Sequence, residues 1–76
     1  MIRLNRINVV SRNIKSIGYD EGNHILEVEF HNKRVYQYFN VPPSLHLGLL
    51  NADSHGKFFA REIRVYPERF PYVRLS

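Results

Sequence analysis

Between Leu26 and Pro42 the chain reads LEVEFHNKRVYQYFNVP, and this stretch limits the fold more than any other. Leu26, Val28 and Phe30 alternate with Glu27 and Glu29, His31-Asn32-Lys33 interrupts, and Arg34-Val35-Tyr36-Gln37-Tyr38-Phe39 resumes an extended run. Alternation of period two on either side of turn formers predicts a β-hairpin, because successive strand side chains point to opposite faces. Its apolar face needs a cover, and the leucine- and phenylalanine-bearing segments after Pro42 are the obvious supply.

The link decides which way the tyrosines face, since a slip of one residue moves every side chain of a strand to the other face. A two-residue Asn32-Lys33 turn would pair Phe30 with Val35 and put Tyr36 and Tyr38 beside Glu27 and Glu29. A three-residue loop with a bulge at Lys33 would pair Phe30 with Arg34 and put the tyrosines beside Leu26, Val28 and Phe30. The second is favoured because it gives one coherent apolar face with Gln37 outside. Either turn asks Lys33 for a positive φ, which glycine would adopt at less cost.

Upstream, Asn13 to Tyr19 predicts a strand and Asp20-Glu21-Gly22-Asn23 a turn, so that His24 to His31 returns antiparallel to it. Three short strands in succession with short links imply a meander. Residues 1 to 12, with Ile7, Val9 and Val10 in a polar setting, could form an edge strand or an ordered arm. Downstream, Val41-Pro42-Pro43-Ser44 ends the sheet, and proline suits the first turn of a helix. Leu45, Leu49 and Ala52 fall at i, i+4 and i+7, one helical face, which Leu47 and Leu50 widen. Gly48 weakens that helix by about 1 kcal/mol relative to Ala. Asp53 or Ser54 can cap a second helix through Arg64, with Phe59 and Ile63 inward, and Tyr66-Pro67 stops it. The tail from Glu68 to Ser76 has two aromatics and no clear periodicity, so it either lies across the domain or is mobile.

The expectation is therefore a single α+β domain over 1–76, a three-stranded antiparallel β-meander with two short α-helices packed on one face. Seventy-six residues leave no room for a second core, because a chain near this length buries only about 60% of its unfolded surface. No cysteine is present, which excludes a disulfide framework and thiolate metal sites. The N-terminal arginines carry no apolar core of signal-peptide length, and no apolar run approaches the roughly 20 residues of a membrane span. A cytoplasmic protein with no membrane partner is expected.

Eleven Lys and Arg against seven Asp and Glu give a formal charge of +4, a value within the usual range of about 2 to 8 for small soluble domains. Eight of the eleven cations are arginine, the side chain suited to bidentate phosphate contacts and to stacking on bases. Lys57, Arg61 and Arg64 recur at i, i+4 and i+7 and would form a cationic stripe on the outer face of the second helix. Ser54, Gly56 and Lys57 stand at that helix's start, where free amides attract an anion; the plainer reading makes Ser54 a cap and Gly56 a packing position. Tyr36 and Tyr38, flanked by Lys33 and Arg34, either stack unpaired bases or sit half-buried in the core with hydroxyls at its edge.

Catalysis and cofactor chemistry find little support. Asp53-Ser54-His55 holds the residue types of a hydrolase triad, but neighbours at a helix start point roughly 100° apart. The histidines at 24, 31, 46 and 55 show no i, i+4 pair, so neither a metal site nor a catalytic residue is expected.

Taken together, Val10-Ser11 with Ile14, Ile17-Gly18-Tyr19-Asp20, Leu26 to Phe30, Tyr36-Gln37-Tyr38, Val41-Pro42, and Ala52-Asp53-Ser54-His55-Gly56-Lys57-Phe58-Phe59 with Ile63 closely resemble the KTSC domain. That module stands at the C-terminus of some lysyl-tRNA synthetases and alone in bacterial and phage proteins. The resemblance covers about residues 9–66, places the family's Tyr-x-Tyr on Tyr36 and Tyr38, and leaves 67–76 as an extension. Lys33 departs from an Asn-Gly-like hairpin turn, and Leu45 stands where an aromatic is common. The synthetase context implies RNA binding. The expected function is a non-catalytic nucleic-acid-binding module, for RNA of structured or tRNA-like kind, with Lys57, Arg61 and Arg64 on phosphate, Lys15, Lys33 and Arg34 extending the patch, and Tyr36 and Tyr38 stacking a base. The alternative is a protein partner met by a strand edge or by Phe70-Pro71-Tyr72.

Overall fold

A computed structural model describes residues 3–76; Met1 and Ile2 of the expected N-terminal arm lie outside the described residues. The sheet has five strands, not three: β1 (Arg6–Asn8), β2 (Ile14–Asp20), β3 (Ile25–Phe30), β4 (Val35–Tyr38) and β5 (Tyr72–Arg74). They lie in sequence order and every neighbouring pair is antiparallel. The two additional strands are the edges, each of three residues. A segment that short cannot display an alternating pattern, and only its pairing partner makes it a strand.

The β3–β4 register is the one with the tyrosines on the apolar face. Leu26 pairs with Tyr38 and Val28 with Tyr36. The loop closes through Phe30 N–H to the Arg34 carbonyl and Lys33 N–H to the Phe30 carbonyl, both 2.9 Å, and Lys33 takes φ 72°. In the β2–β3 turn, Asp20 accepts from the backbone and side chain of Asn23; the left-handed residue there is His24, with φ 55°.

Two helical pieces cover the apolar face. The first, α1 (Pro43–Asn51), opens on proline as its sequence requires. Leu49 is fully buried, but Leu47 is 56% exposed, so it does not widen the inward face. The ring of Phe58 rests where a side chain at position 48 would stand, 2.7 Å from a Cβ built on Gly48; the glycine that weakens the helix lets the second helical piece pack against it. That piece, α2 (His55–Phe59), continues into a π-helical segment, Ala60–Arg64. Ile14, Leu26, Val28, Leu49, Phe59 and Ile63 form the centre of the core.

The other face of the sheet is polar and buried, contrary to the expectation of Gln37 outside. Gln37 is 2% exposed, Ser16 3% and Glu27 0%. One oxygen of Glu27 accepts from Gln37 Nε2 at 2.8 Å and from Leu4 N–H at 3.0 Å, and the other is paired with Arg6. Arg6 also donates to Ser16 Oγ, which donates to Glu29. The arm before β1 thus lies across this face, approaching so closely that a Cβ on Gly18 would come within 2.6 Å of the Asn5 carbonyl oxygen.

Candidate functional site

On the helical side, a groove of about 680 Å³ opens between the β3–β4–β5 end of the sheet and the run from α2 into the π-helical segment. Its position follows from the chain's path. The hairpin presents Phe30, Tyr36 and Tyr38 on one face, Phe59 closes over them, and β5 adds Tyr72 at the edge. The aromatic rings form a continuous wall: Tyr38 meets Phe59 at 5.0 Å and Tyr72 at 5.5 Å between centroids, and Tyr72 meets Tyr36 edge-on at 5.7 Å. The two edge-to-face contacts, Tyr38–Phe59 and Tyr36–Tyr72, fix ring orientations.

Cations stand around this wall. Arg34 lines it from the hairpin side and Lys57 and Arg64 from the helical side, all three exposed. Among the described residues, no aspartate or glutamate lines the groove, and no carboxylate lies within ion-pair distance of these three side chains. His31, Asn13 and Asn32 add polar groups at the hairpin end. His31 Nε2 stands 2.9 Å from the Ser11 carbonyl; a carbonyl only accepts, so Nε2 carries a proton and neutral imidazole keeps Nδ1 as an acceptor. Burial pushes the Tyr38 hydroxyl up to about 12, with Tyr36 adding to the rise and the Arg64 guanidinium opposing it. The phenol stays protonated across the neutral range.

The structure sorts the residues expected from the sequence. Arg34, Tyr36, Tyr38, Lys57 and Arg64 meet in the groove. Tyr38 is only 4% exposed, so it is floor rather than a free stacking surface. Tyr36 is half-buried. Arg61 leaves the expected stripe: its Nε bonds Glu62 at 2.8 Å and its guanidinium lies 5.7 Å over Phe58. What draws it away is on the helix surface itself: the neighbouring Glu62 carboxylate and the face of Phe58 hold the guanidinium outside the groove. Lys33 is the left-handed turn residue outside the groove, and Lys15 stands beside Glu29 at the irregularity in β2.

At the start of α2, Ser54 Oγ accepts from Lys57 N–H at 3.3 Å, the geometry of a cap, and Gly56 packs against Asn13. His55 Nδ1 faces the Leu49 carbonyl at 2.8 Å, so Asp53-Ser54-His55 is not assembled as a relay. Tyr72, 53% exposed, is a groove residue the sequence did not disclose, as are Asn13, His31 and Asn32. For Tyr72 the signal was an aromatic in a tail without periodicity, named there as a contact for a protein partner. That tail is ordered by Phe70, 5% exposed in the core, and by Phe39 N–H bonding the Pro71 carbonyl at 2.8 Å.

Comparison with known proteins adds relatives to this geometry. The profile of the KTSC domain matches residues 10–66. A protein of Stutzerimonas stutzeri described as uncharacterized is 38% identical over 73 residues, covering 96% of this chain and all of its own length. A lysine–tRNA ligase of Nostoc punctiforme is 38% identical over 63 residues, 83% of this chain but 11% of that enzyme. Among solved structures, a KTSC domain protein from Yersinia pestis superposes with a TM-score of 0.87 at 35% identity, over 97% of this chain and all of the other.

Proposed function

The chain belongs to the KTSC domain family, and from that premise we propose that it is a non-catalytic module that binds nucleic acid, RNA before DNA, in the cytoplasm. The observation that carries the reading is the make-up of the groove: Arg34, Lys57 and Arg64 around tyrosine rings, with no carboxylate among the lining residues. Guanidinium and ammonium groups supply phosphate contacts, and aromatic faces supply sequence-tolerant stacking worth about 1 to 3 kcal/mol per base. The relation to a segment of a lysine–tRNA ligase supports RNA, and a tRNA-like ligand, over DNA. In this reading Arg61 contributes little, because Glu62 offsets its charge.

The test is a panel of fluorescein-labelled RNAs and DNAs titrated at low salt. Micromolar binding that prefers RNA is expected; no measurable affinity for any member rejects the proposal. A strand-edge adaptor is the second reading, favoured by Ile7 and Val10, 59% and 98% exposed in and just after the edge strand β1. Capture from lysate with and without nuclease separates the two: a defined partner that survives nuclease and is lost in an Ile7→Lys variant would favour the adaptor.

A further inference from the structure

The shape and lining of the groove narrow the class of ligand. A paired helix offers a protein its phosphates and groove edges, and its base faces are hidden in the stack. An unpaired base instead needs a recess in which its face can meet an aromatic ring. Here Arg34, Lys57 and Arg64 converge on a concavity of about 680 Å³ whose wall is aromatic. Its volume falls within the range of roughly 300 to 1,000 Å³ typical of small-molecule sites. The walls also differ in chemistry. Lys57 and Arg64 stand on the helical side, whereas Asn32 and His31, groups able to meet the edge of a base, stand on the hairpin side, with Asn13 at the junction against Gly56. Asn32 Oδ1 accepts from Arg34 N–H at 3.0 Å, which fixes the carboxamide with its NH2 as the remaining donor group. At the edge of the sheet, Tyr72 is half-exposed and held by Tyr36 and Tyr38.

We propose that this groove holds one unpaired nucleotide, its base against Tyr72 and Tyr36 with its edge toward Asn32 and His31, and its phosphate between Arg64 and Lys57. This rests on the nucleic-acid reading and sharpens it: the ligand is a single strand, a loop or an end from which one base is turned out. A free nucleoside monophosphate shares the chemistry, and the experiment separates the two sources. Arg34, on the hairpin side, is placed for the next phosphate of a strand, which a monophosphate lacks.

Anisotropy of a labelled 12-nucleotide single-stranded RNA is compared with the same strand annealed to its complement, with nucleoside monophosphates and inorganic phosphate as competitors. The single strand is expected to bind at least tenfold tighter than the duplex. Monophosphates should displace it at concentrations where inorganic phosphate does not. Arg64→Gln and Tyr72→Leu should each weaken the single strand at least fivefold, Arg61→Gln less than twofold. Because Tyr72→Leu removes ring contacts, its thermal melt is recorded alongside; Arg64→Gln, at an exposed position, carries the same test with little effect on folding. Tyrosine emission reports the base directly, since the chain has no tryptophan; quenching is expected with the strand and not with phosphate.

Duplex binding equal to or tighter than single-strand binding, with Arg61→Gln as damaging as Arg64→Gln, would overturn this inference and leave the broader proposal standing. Failure of every nucleic acid to bind would remove both. Displacement by inorganic phosphate as effective as that by monophosphates would also reject a base in the groove. Monophosphate affinity matching that of the strand, with Arg34→Gln silent, would assign the groove to a free nucleotide and reject the strand. Tighter binding of an acidic or phosphorylated peptide, lost in Arg64→Gln, would reject both.

Discussion

Glu27 is where a single residue says most about how this chain holds together. An ionised carboxylate with no exposed surface costs several kcal/mol in lost hydration, and that cost is offset only when its oxygens are fully partnered. Here Gln37, Leu4 N–H and Arg6 provide the partners. Replacing Arg6 with methionine keeps the apolar stem and strands the charge, so Arg6→Met is expected to lower the unfolding free energy by about 3 kcal/mol, read from urea midpoints. A change under about 0.5 kcal/mol, the usual size at a surface site, would mean the arm does not hold Glu27. His46 gives a second single-residue effect. It stacks on Tyr19 at 4.3 Å, and burial lowers its pKa below the ordinary 6.5, with Glu21 opposing. The folded state thus binds its proton less readily than the unfolded state, so stability is greatest above pH 6.5 and falls as pH drops through 6.5 toward the lower folded value. Glu29, lowered chiefly by the Ser16 hydroxyl, extends the loss into the carboxylate range. His46→Phe keeps a ring on Tyr19 and should flatten the urea midpoint between about pH 7 and 5.5 while leaving the acid limb below it. An unchanged profile would place the titration elsewhere.

Elements differ in how far their residues announce them. The β3–β4 hairpin was legible because alternation, turn formers and the need for one apolar face agree, and it settled in the register that satisfies all three. The start of α1 at Pro43 and the Ser54 cap were legible for the same reason: one residue type meets one local requirement. Two things were hidden. The π-helical turn at Ala60–Arg64 has no composition of its own, and the pairing of Arg61 with Glu62 is a side-chain choice that a helical period does not report. Strand β5 exists because Phe70 is buried and β4 offers a free edge, neither of which is a pattern within the tail. The tail is therefore part of the domain's stability. Phe70→Ala should cost about 3 to 5 kcal/mol, as for other buried phenylalanines, a large share of the total for a domain this small. Denaturant unfolding followed by circular dichroism measures it; a loss below 1 kcal/mol would mean that the tail adds little to the core.

Across the whole molecule, a formal +4 conceals which cations are paired and which are grouped. The reverse of the sheet pairs Arg6 with Glu27 and Glu29, and the helix surface pairs Arg61 with Glu62. Arg34, Lys57 and Arg64 are left to act together at the groove. The sequence supplied the right kinds of residue for this site but not its membership, because which cations converge depends on the partners chosen by the others, and Tyr72 reaches it only through a pairing of chain ends. The division leads to a measurable consequence. Three cations on the phosphates of a single strand should release about two counterions, since each contact contributes about −0.7 to the slope of log affinity against log salt. The slope for single-stranded RNA is then expected near about −2, a loss of about 20-fold between 50 and 200 mM salt, and Arg64→Gln should bring it to about −1.4. Arg61→Gln should leave it unchanged, because a charge already offset by Glu62 has little to exchange. Equal reductions from both variants would spread the binding over the helix surface, and a slope indistinguishable from zero would take the phosphate out of the interaction altogether.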